Sequence, residues 1–106
     1  MIITVTNENF ESTIMKSSKL CILDFWAEWC NPCKALSPII DNIYKRYKDS
    51  IVLGKVNVDN NDILSERYSI QSIPTILFIK NNKVIDKEIG LVSEDILINK
   101  IDQYLL

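Results

Sequence analysis

The sequence predicts an α/β protein with one central mixed sheet of four or five strands, flanked by four helices. Three observations predict this class. Short β-branched runs alternate along the chain with segments of helical periodicity. Residues 20–27 are almost continuously apolar, which is typical of a central strand buried on both faces. Near the C-terminus, two strand-like runs are separated by Asn81-Asn82, which favours a two-residue hairpin turn.

The first half of the chain supplies two strands and two helices. Residues 2–5 form a short strand, and Thr6 or Asn7 caps a helix that runs to about residue 16. After the apolar strand, a second helix begins near Pro32, because proline has no N–H that would lose a partner in a first turn. Pro38 lies inside this helix and predicts a kink. Its apolar face recurs at helical spacing and comprises Leu36, Ile39, Ile40, Ile43, Tyr44 and Tyr47.

The second half supplies three strands and two helices. Residues 51–58 and 75–79 are apolar strands, and residues 59–62 cap a short helix between them. Residues 83–89 form a more polar strand, which we expect at an edge of the sheet. Ser93 caps the last helix. Its predicted buried face comprises Leu97, Ile101, Tyr104 and Leu105. This order indicates a mostly parallel sheet with an antiparallel edge.

Length and composition limit the possible functions. The 106 residues suit one domain, which we expect to span residues 1–106, and an apolar fraction of 47% allows a core. A formal net charge of −2 gives no reason to expect nucleic acid or a membrane as partner. Residues 1–5 lack the basic region of a signal peptide, and no apolar run is long enough to cross a bilayer. We therefore expect a cytoplasmic protein. We also expect it to act as a monomer.

Two of the three cysteines stand three positions apart at the predicted helix start. Residues at this spacing are neighbours on a helix, so the sulfurs of Cys30 and Cys33 can bond. The free N–H groups and positive dipole of a helix start favour thiolate over thiol. Cys30, before the helix, is predicted to be the exposed nucleophile, and Cys33 the more buried resolving thiol. The alternatives are two inert core cysteines or half of a zinc site, although zinc needs four ligands and this chain has no His.

Asp24 interrupts the apolar strand six residues before Cys30. Burial raises the pKa of a carboxyl group, and a pKa near neutrality suits a general acid–base. The alternative is a structural, hydrogen-bonded aspartate. Lys55, in the next strand, either lies near Asp24 and favours its charged form or reaches solvent at an edge. Cys21 falls on the opposite face of the strand and is predicted to be a core residue.

Two residues near the cysteines are candidates for substrate contact. Trp29 directly precedes Cys30 in the loop, so it is the better candidate of the two tryptophans for an exposed contact. Pro74 follows Ile73 and precedes a strand, where a trans turn is the ordinary expectation. A cis bond at this position is rare in general, and the spacing alone does not establish it.

Residues 24–34, D-F-W-A-E-W-C-N-P-C-K, resemble the active-site signature of the thioredoxin family. They depart from it at Asn31, where the family usually has glycine. Pro38, Lys55, the S-I-P-T of residues 72–75 and Gly90 also fall where the family has similar residues. The resemblance covers the whole chain and implies the thioredoxin fold.

The resemblance implies a dithiol–disulfide oxidoreductase that reduces disulfides in client proteins. It implies that Cys30 attacks, that Cys33 resolves, that Asp24 helps to deprotonate Cys33, and that Lys55 tunes Asp24. It also implies a cis bond between Ile73 and Pro74. The implied docking surface for clients comprises Trp29, Ile73, Pro74, Gly90 and Leu91.

The same resemblance implies that the chain binds no cofactor and that its reversible disulfide carries the electrons. These come from NADPH through a flavin-containing thioredoxin reductase. Asn31 and Pro32, between the cysteines, are expected to tune the redox potential, and the absence of His there favours a reductant. Two rivals stay open: a redox-inert binding subunit of a larger assembly, and an oxidant that forms disulfides.

Overall fold

A computed structural model describes residues 1–106, and it has the predicted class and order of elements. The strands are β1 (Ile3–Thr4), β2 (Leu20–Trp26), β3 (Ile51–Asn57), β4 (Thr75–Lys80) and β5 (Lys83–Ile89). The helices are α1 (Glu11–Met15), α2 (Asn31–Tyr47), α3 (Asp62–Arg67) and α4 (Glu94–Tyr104). None of the four helices combines the length and apolar character that crossing a bilayer would need.

The five strands form one sheet in the order β1-β3-β2-β4-β5. The β1–β3 and β3–β2 pairs are parallel, whereas β4 is antiparallel to both β2 and β5. The prediction of a mostly parallel sheet with an antiparallel edge is therefore wrong, because half of the pairings are antiparallel and β4 lies inside the sheet. A hairpin sets the direction of β5 relative to β4, but it does not set the direction of β4 relative to β2. The placement of β5 at an edge is confirmed.

The sheet separates two apolar clusters, so β2 is buried on both faces as predicted. Leu20 and Ile22 point to the cluster that α2 and α4 cover. Cys21, Leu23 and Phe25 point to the other, which contains residues of α1 and α3. Cys21 is a free, buried cysteine on the face opposite Asp24, and its predicted core position is confirmed.

The residues that cap the helix starts agree fully with the prediction for α4 and only in part for α3. Ser93 caps α4 through its hydroxyl. The predicted cap of α3 by residues 59–62 is only partly correct, because Asn61 occupies the cap position without making a side-chain cap bond. The Oδ1 of Asn7 instead accepts a hydrogen bond from Leu64 N–H at 3.1 Å. The side chain of Asn61 is engaged elsewhere, and its Oδ1 accepts from Asn7 N–H at 3.0 Å.

The ends of the first and last helices also differ from the predictions. Thr6 caps the turn that leads into α1, with Oγ1 accepting from Asn9 N–H at 3.1 Å. The last turn of α1 is wide, because Lys16 N–H donates to Glu11 O five residues back. Leu105 is 37% exposed, so its predicted place on the buried face of α4 is wrong. The helix ends at Tyr104, and Leu105 no longer follows its apolar face.

Left-handed backbone occurs at four residues that join elements. Asn81 and Asn82 have φ of 52° and 65°, which confirms the hairpin turn between β4 and β5. Ser69 has φ of 53°, just beyond α3, and Gly90 has φ of 89°, just beyond β5. Gly90 N–H donates to Pro74 O at 2.8 Å, which holds the end of β5 beside the start of β4.

We expect Gly54→Ala to lower the free energy of unfolding by about 1–3 kcal/mol, because an added methyl group overpacks a closed site. A Cβ at Gly54 would lie 2.5 Å from Val5 Cγ2 and 3.1 Å from Leu23 Cδ2. Both neighbours are fully buried, so neither side chain can turn towards solvent. Urea denaturation measures the change. An unaltered denaturation midpoint would mean that Val5 and Leu23 move aside without loss of stability.

Candidate active site

The two cysteines lie where β2 leads into α2. Cys30 is the cap residue of α2, and its Sγ accepts a hydrogen bond from Cys33 N–H at 3.2 Å. A disulfide joins the two residues, whose Cα atoms are 5.3 Å apart. The helix begins at Asn31, close to the predicted start near Pro32, and Pro32 occupies its first turn. The predicted pairing of the two sulfurs is therefore confirmed.

Both cysteines are buried in the disulfide form. Cys30 is 4% and Cys33 5% exposed, so the predicted greater exposure of Cys30 is not observed. The two residues and Ala27 form a small apolar cluster against which Val58 and Ile73 pack. The neighbours of the disulfide come from β2, from the end of β3 and from the loop before β4, which are too far apart in sequence for local spacing to predict.

Next to the disulfide lies an exposed apolar surface. Trp29 is 67% exposed, as predicted, and its Nε1 donates to Asp59 Oδ2 at 3.0 Å. A groove of about 350 Å³ runs beside this side chain, and its walls include Val58, Ile70 and Ile73. We call it the Trp29 groove. Sequence reasoning missed Asp59, Val58 and Ile70, although Asp59 and Val58 directly follow the end of β3.

The other predicted docking residues lie around the start of β4. The bond between Ile73 and Pro74 is cis, as the resemblance implied. Pro74 is buried, and its carbonyl accepts the hydrogen bond from Gly90. Leu91, the next residue, is 56% exposed. Ile89, at the end of β5, is 58% exposed and was missed by the sequence analysis.

Asp24 lies in β2 and is 1% exposed. Its Oδ1 is buried and has no hydrogen-bond partner, so the structural alternative of a fully hydrogen-bonded aspartate is not observed. Burial raises the pKa of Asp24 from 3.8 to about 6, and the charge of Lys55 opposes part of this rise. The predicted burial of Asp24 is observed, and desolvation is the cause that raises its pKa.

Lys55 lies beside Asp24 rather than at an edge of the sheet. The two residues are direct partners in the register of β2 and β3, and β3 lies between β1 and β2. Lys55 Nζ nevertheless forms no ion pair with Asp24 within 4.0 Å. It donates to Ser37 Oγ at 3.2 Å and lies 5.9 Å from the ring centroid of Trp26.

A cavity of about 230 Å³ connects these groups behind the disulfide. Asp24, Cys33, Ser37 and Lys55 all contribute to its lining. The cavity exceeds the roughly 30 Å³ that one water takes up in the liquid, and its polar lining can bind water. The Asp24 carboxyl group and the Cys33 side chain therefore line one cavity that has room for water. Sequence reasoning missed Ser37, although its position four residues after Cys33 places both on one face of α2.

Comparison with known proteins identifies the family. Residues 1–103 match the family model described as Thioredoxin. The chain belongs to the thioredoxin family. Its predicted thioredoxin fold is thereby confirmed, and with its Cys30–Cys33 disulfide this family member is a thiol–disulfide oxidoreductase of the protein-disulfide reductase type.

Individual thioredoxins are similar along most of their length. The thioredoxin of Buchnera aphidicola subsp. Acyrthosiphon pisum (strain APS) is 43% identical over 93 residues, covering 88% of this chain and 86% of that protein. The thioredoxin of Rickettsia prowazekii (strain Madrid E) is 41% identical over 103 residues, 97% of this chain and 98% of that protein. The thioredoxin of Chlorobaculum thiosulfatiphilum is 39% identical over 100 residues, covering 94% and 93%.

Proposed function

We propose that Cys30 and Cys33 act in sequence to reduce a disulfide in a client protein. The Cys30 thiolate attacks one client sulfur, the client S–S bond breaks, and the first client thiol leaves. The Cys33 thiolate then attacks Cys30 Sγ, breaks the mixed disulfide and releases the second client thiol. The two electrons come from the cysteine pair, which becomes the Cys30–Cys33 disulfide. The observation that carries this proposal is the disulfide at the start of α2, where Cys33 N–H donates to Cys30 Sγ.

Asp24 is proposed to accept the proton of Cys33 before the second attack. A carboxyl group with a pKa of about 6 is a much better base than one at 3.8 and is still largely ionised near pH 7. Both residues line one cavity with room for water, and bound water is proposed to carry the proton between them. Lys55 is proposed to tune Asp24, because its charge favours the carboxylate.

Clients are proposed to dock on the surface formed by Trp29, Ile73, Pro74, Gly90 and Leu91. Trp29 and Leu91 offer exposed apolar area, while Ile73 packs against the disulfide. An extended client chain on this surface would bring its own disulfide to Cys30. Asn31 and Pro32 are proposed to tune the redox potential, since they lie between the two sulfurs in the first turn of α2.

Oxidised protein must be reduced again before the next cycle. We assign this step to a flavin-containing thioredoxin reductase that takes electrons from NADPH, following the family. The protein is proposed to act as a monomer in the cytoplasm, where glutathione and related systems keep thiols reduced.

The reduction potential of the pair tests the direction of exchange. We expect equilibration with glutathione buffers to give a potential below the cytosolic glutathione poise, together with reduction of insulin disulfides under dithiothreitol. A potential well above that poise would instead make the protein an oxidant. A low potential without insulin reduction, and without trapping of any client, would favour the redox-inert binding subunit.

A further inference from the structure

The cavity behind the disulfide holds a serine that neither the reaction steps nor the docking surface uses. Ser37 lies on α2, one turn after Cys33, and is partly buried. Its Oγ accepts a hydrogen bond from Lys55 Nζ at 3.2 Å. This bond joins a helix residue to a residue of β3 that is 18 positions away in sequence.

We propose that Ser37 is a positioning residue whose hydroxyl holds the Lys55 ammonium group on the helix side of the cavity, out of direct ion pairing with Asp24. This inference rests on the proposed acid–base role of Asp24. Ser37 itself touches neither sulfur in the hydrogen bonds of the structure, and it acts through Lys55.

The arrangement of the two strands makes an ion pair the natural alternative. Asp24 and Lys55 are opposite each other in adjacent parallel strands, so both side chains project from the same face of the sheet. Asp24 Oδ1 is buried and accepts no hydrogen bond from another protein group, which is an unfavourable state for a carboxylate. The lysine nevertheless donates to Ser37. The hydrogen bond to Ser37 therefore competes with an ion pair between Lys55 and the Asp24 carboxylate.

The consequence concerns the proton affinity of Asp24. A lysine in contact would strongly favour the carboxylate and lower the pKa, whereas a lysine held at a distance opposes desolvation only in part. Desolvation raises the pKa of Asp24 to about 6, and the charge of Lys55 opposes part of this rise. Ser37 thereby keeps the carboxyl group in the range where it can both take and return a proton near neutral pH.

The other charged or titratable groups near this pair are few. From α2, Cys33 and Lys34 line the same cavity as Asp24, and in the oxidised protein Cys33 does not titrate. From β4, the partner of Asp24 is the apolar Ile76. Glu8 lines a second cavity together with Lys55, on the side of β1. Oxidised protein is therefore the cleaner sample for following Asp24.

The test is an NMR titration of the Asp24 carboxyl carbon in oxidised protein. We expect Ser37→Ala to lower the midpoint by about one pH unit, because the freed lysine moves into contact with the carboxylate. Ser37→Thr keeps a hydroxyl group at the site and should restore the wild-type midpoint. In a Lys55→Met background, Ser37→Ala should leave the midpoint unchanged, since no ammonium group remains to be positioned.

An unchanged or raised midpoint in Ser37→Ala would overturn the proposal. So would an equal shift in the Lys55→Met background, because Ser37 would then act on Asp24 by another route. Alanine suits a helix interior, and the backbone NMR spectrum checks that the variant is folded. The titration needs no turnover, so it remains informative even if Asp24→Asn reduces insulin at the wild-type rate, a result that would refute only the acid–base role.

Discussion

The Cys33→Ser variant should accumulate client proteins joined to Cys30 and should lose multiple turnover. Cys30 can still attack a client disulfide, but serine cannot supply the thiolate that breaks the mixed disulfide. Incubation with disulfide-containing proteins, followed by non-reducing gels and mass spectrometry, should show adducts that dithiothreitol releases.

Two further variants assign the adducts to Cys30. Cys33→Ser with Cys21→Ala should trap clients as well as Cys33→Ser alone, since Cys21 is buried in the core on the opposite face of β2 from Asp24. Cys33→Ser with Cys30→Ser should trap none. Adducts that persist in the latter protein would place the nucleophile elsewhere, and an absence of adducts in all three would support the redox-inert binding subunit.

Asp24→Asn should raise the free energy of unfolding relative to the wild type, and this gain should be larger at neutral pH than at acidic pH. The pKa of Asp24 is about 6 in the folded protein against 3.8 as its ordinary value, so the folded state binds the proton more tightly than the unfolded state. The aspartate therefore destabilises the fold fully above about pH 6, and this penalty disappears as the pH falls towards 4. The two pKa values correspond to about 3 kcal/mol. Asparagine cannot ionise, so the variant lacks this pH-dependent destabilisation.

Urea denaturation of oxidised wild-type and Asp24→Asn proteins at pH 7.5 and pH 4 measures the effect. The difference in unfolding free energy between the two proteins should change by about 2 kcal/mol over that range, in favour of the variant at the higher pH, because part of the penalty remains at pH 4. Asp41→Asn, on the exposed side of α2, is the matched control for the loss of one charge. A difference that stays constant with pH would show that the Asp24 carboxylate is hydrated in the folded protein.

The parts of the site that local patterns specify were predictable. Cys30, Pro32 and Cys33 lie on one strand–turn–helix unit, and the break that Asp24 makes in an apolar run indicated a buried carboxyl group. The two asparagines at positions 81 and 82, between two strand-like runs, likewise predicted the hairpin turn that their positive φ angles confirm. In each case the physical cause acts between residues that are close together in the chain. The feature could therefore be predicted from the sequence alone.

The remaining features depend on how distant segments meet. The position of Lys55 opposite Asp24 follows from the register of β2 and β3, and its bond to Ser37 follows from the docking of α2 on the sheet. The direction of β4 was mispredicted for the same reason. The low exposure of Cys30 comes from Val58 and Ile73, which no spacing within the C-x-x-C segment reveals. The roles of Asp24, Lys55 and the docking residues stay predictions.

The cap that Asn7 provides has a consequence for how the protein is assembled during folding. Its Oδ1 accepts from Leu64 N–H, 57 residues along the chain, and α3 contributes Ser65 to the wall of the Trp29 groove. The loss of a helix cap typically costs about 1 kcal/mol, which is substantial for a helix of six residues. A chain whose N-terminal segment is not docked on α3 would lack this cap, and the wall of the groove would be less stable. The groove therefore depends on a contact between residues 57 positions apart, whereas the two cysteines of the disulfide are only three positions apart.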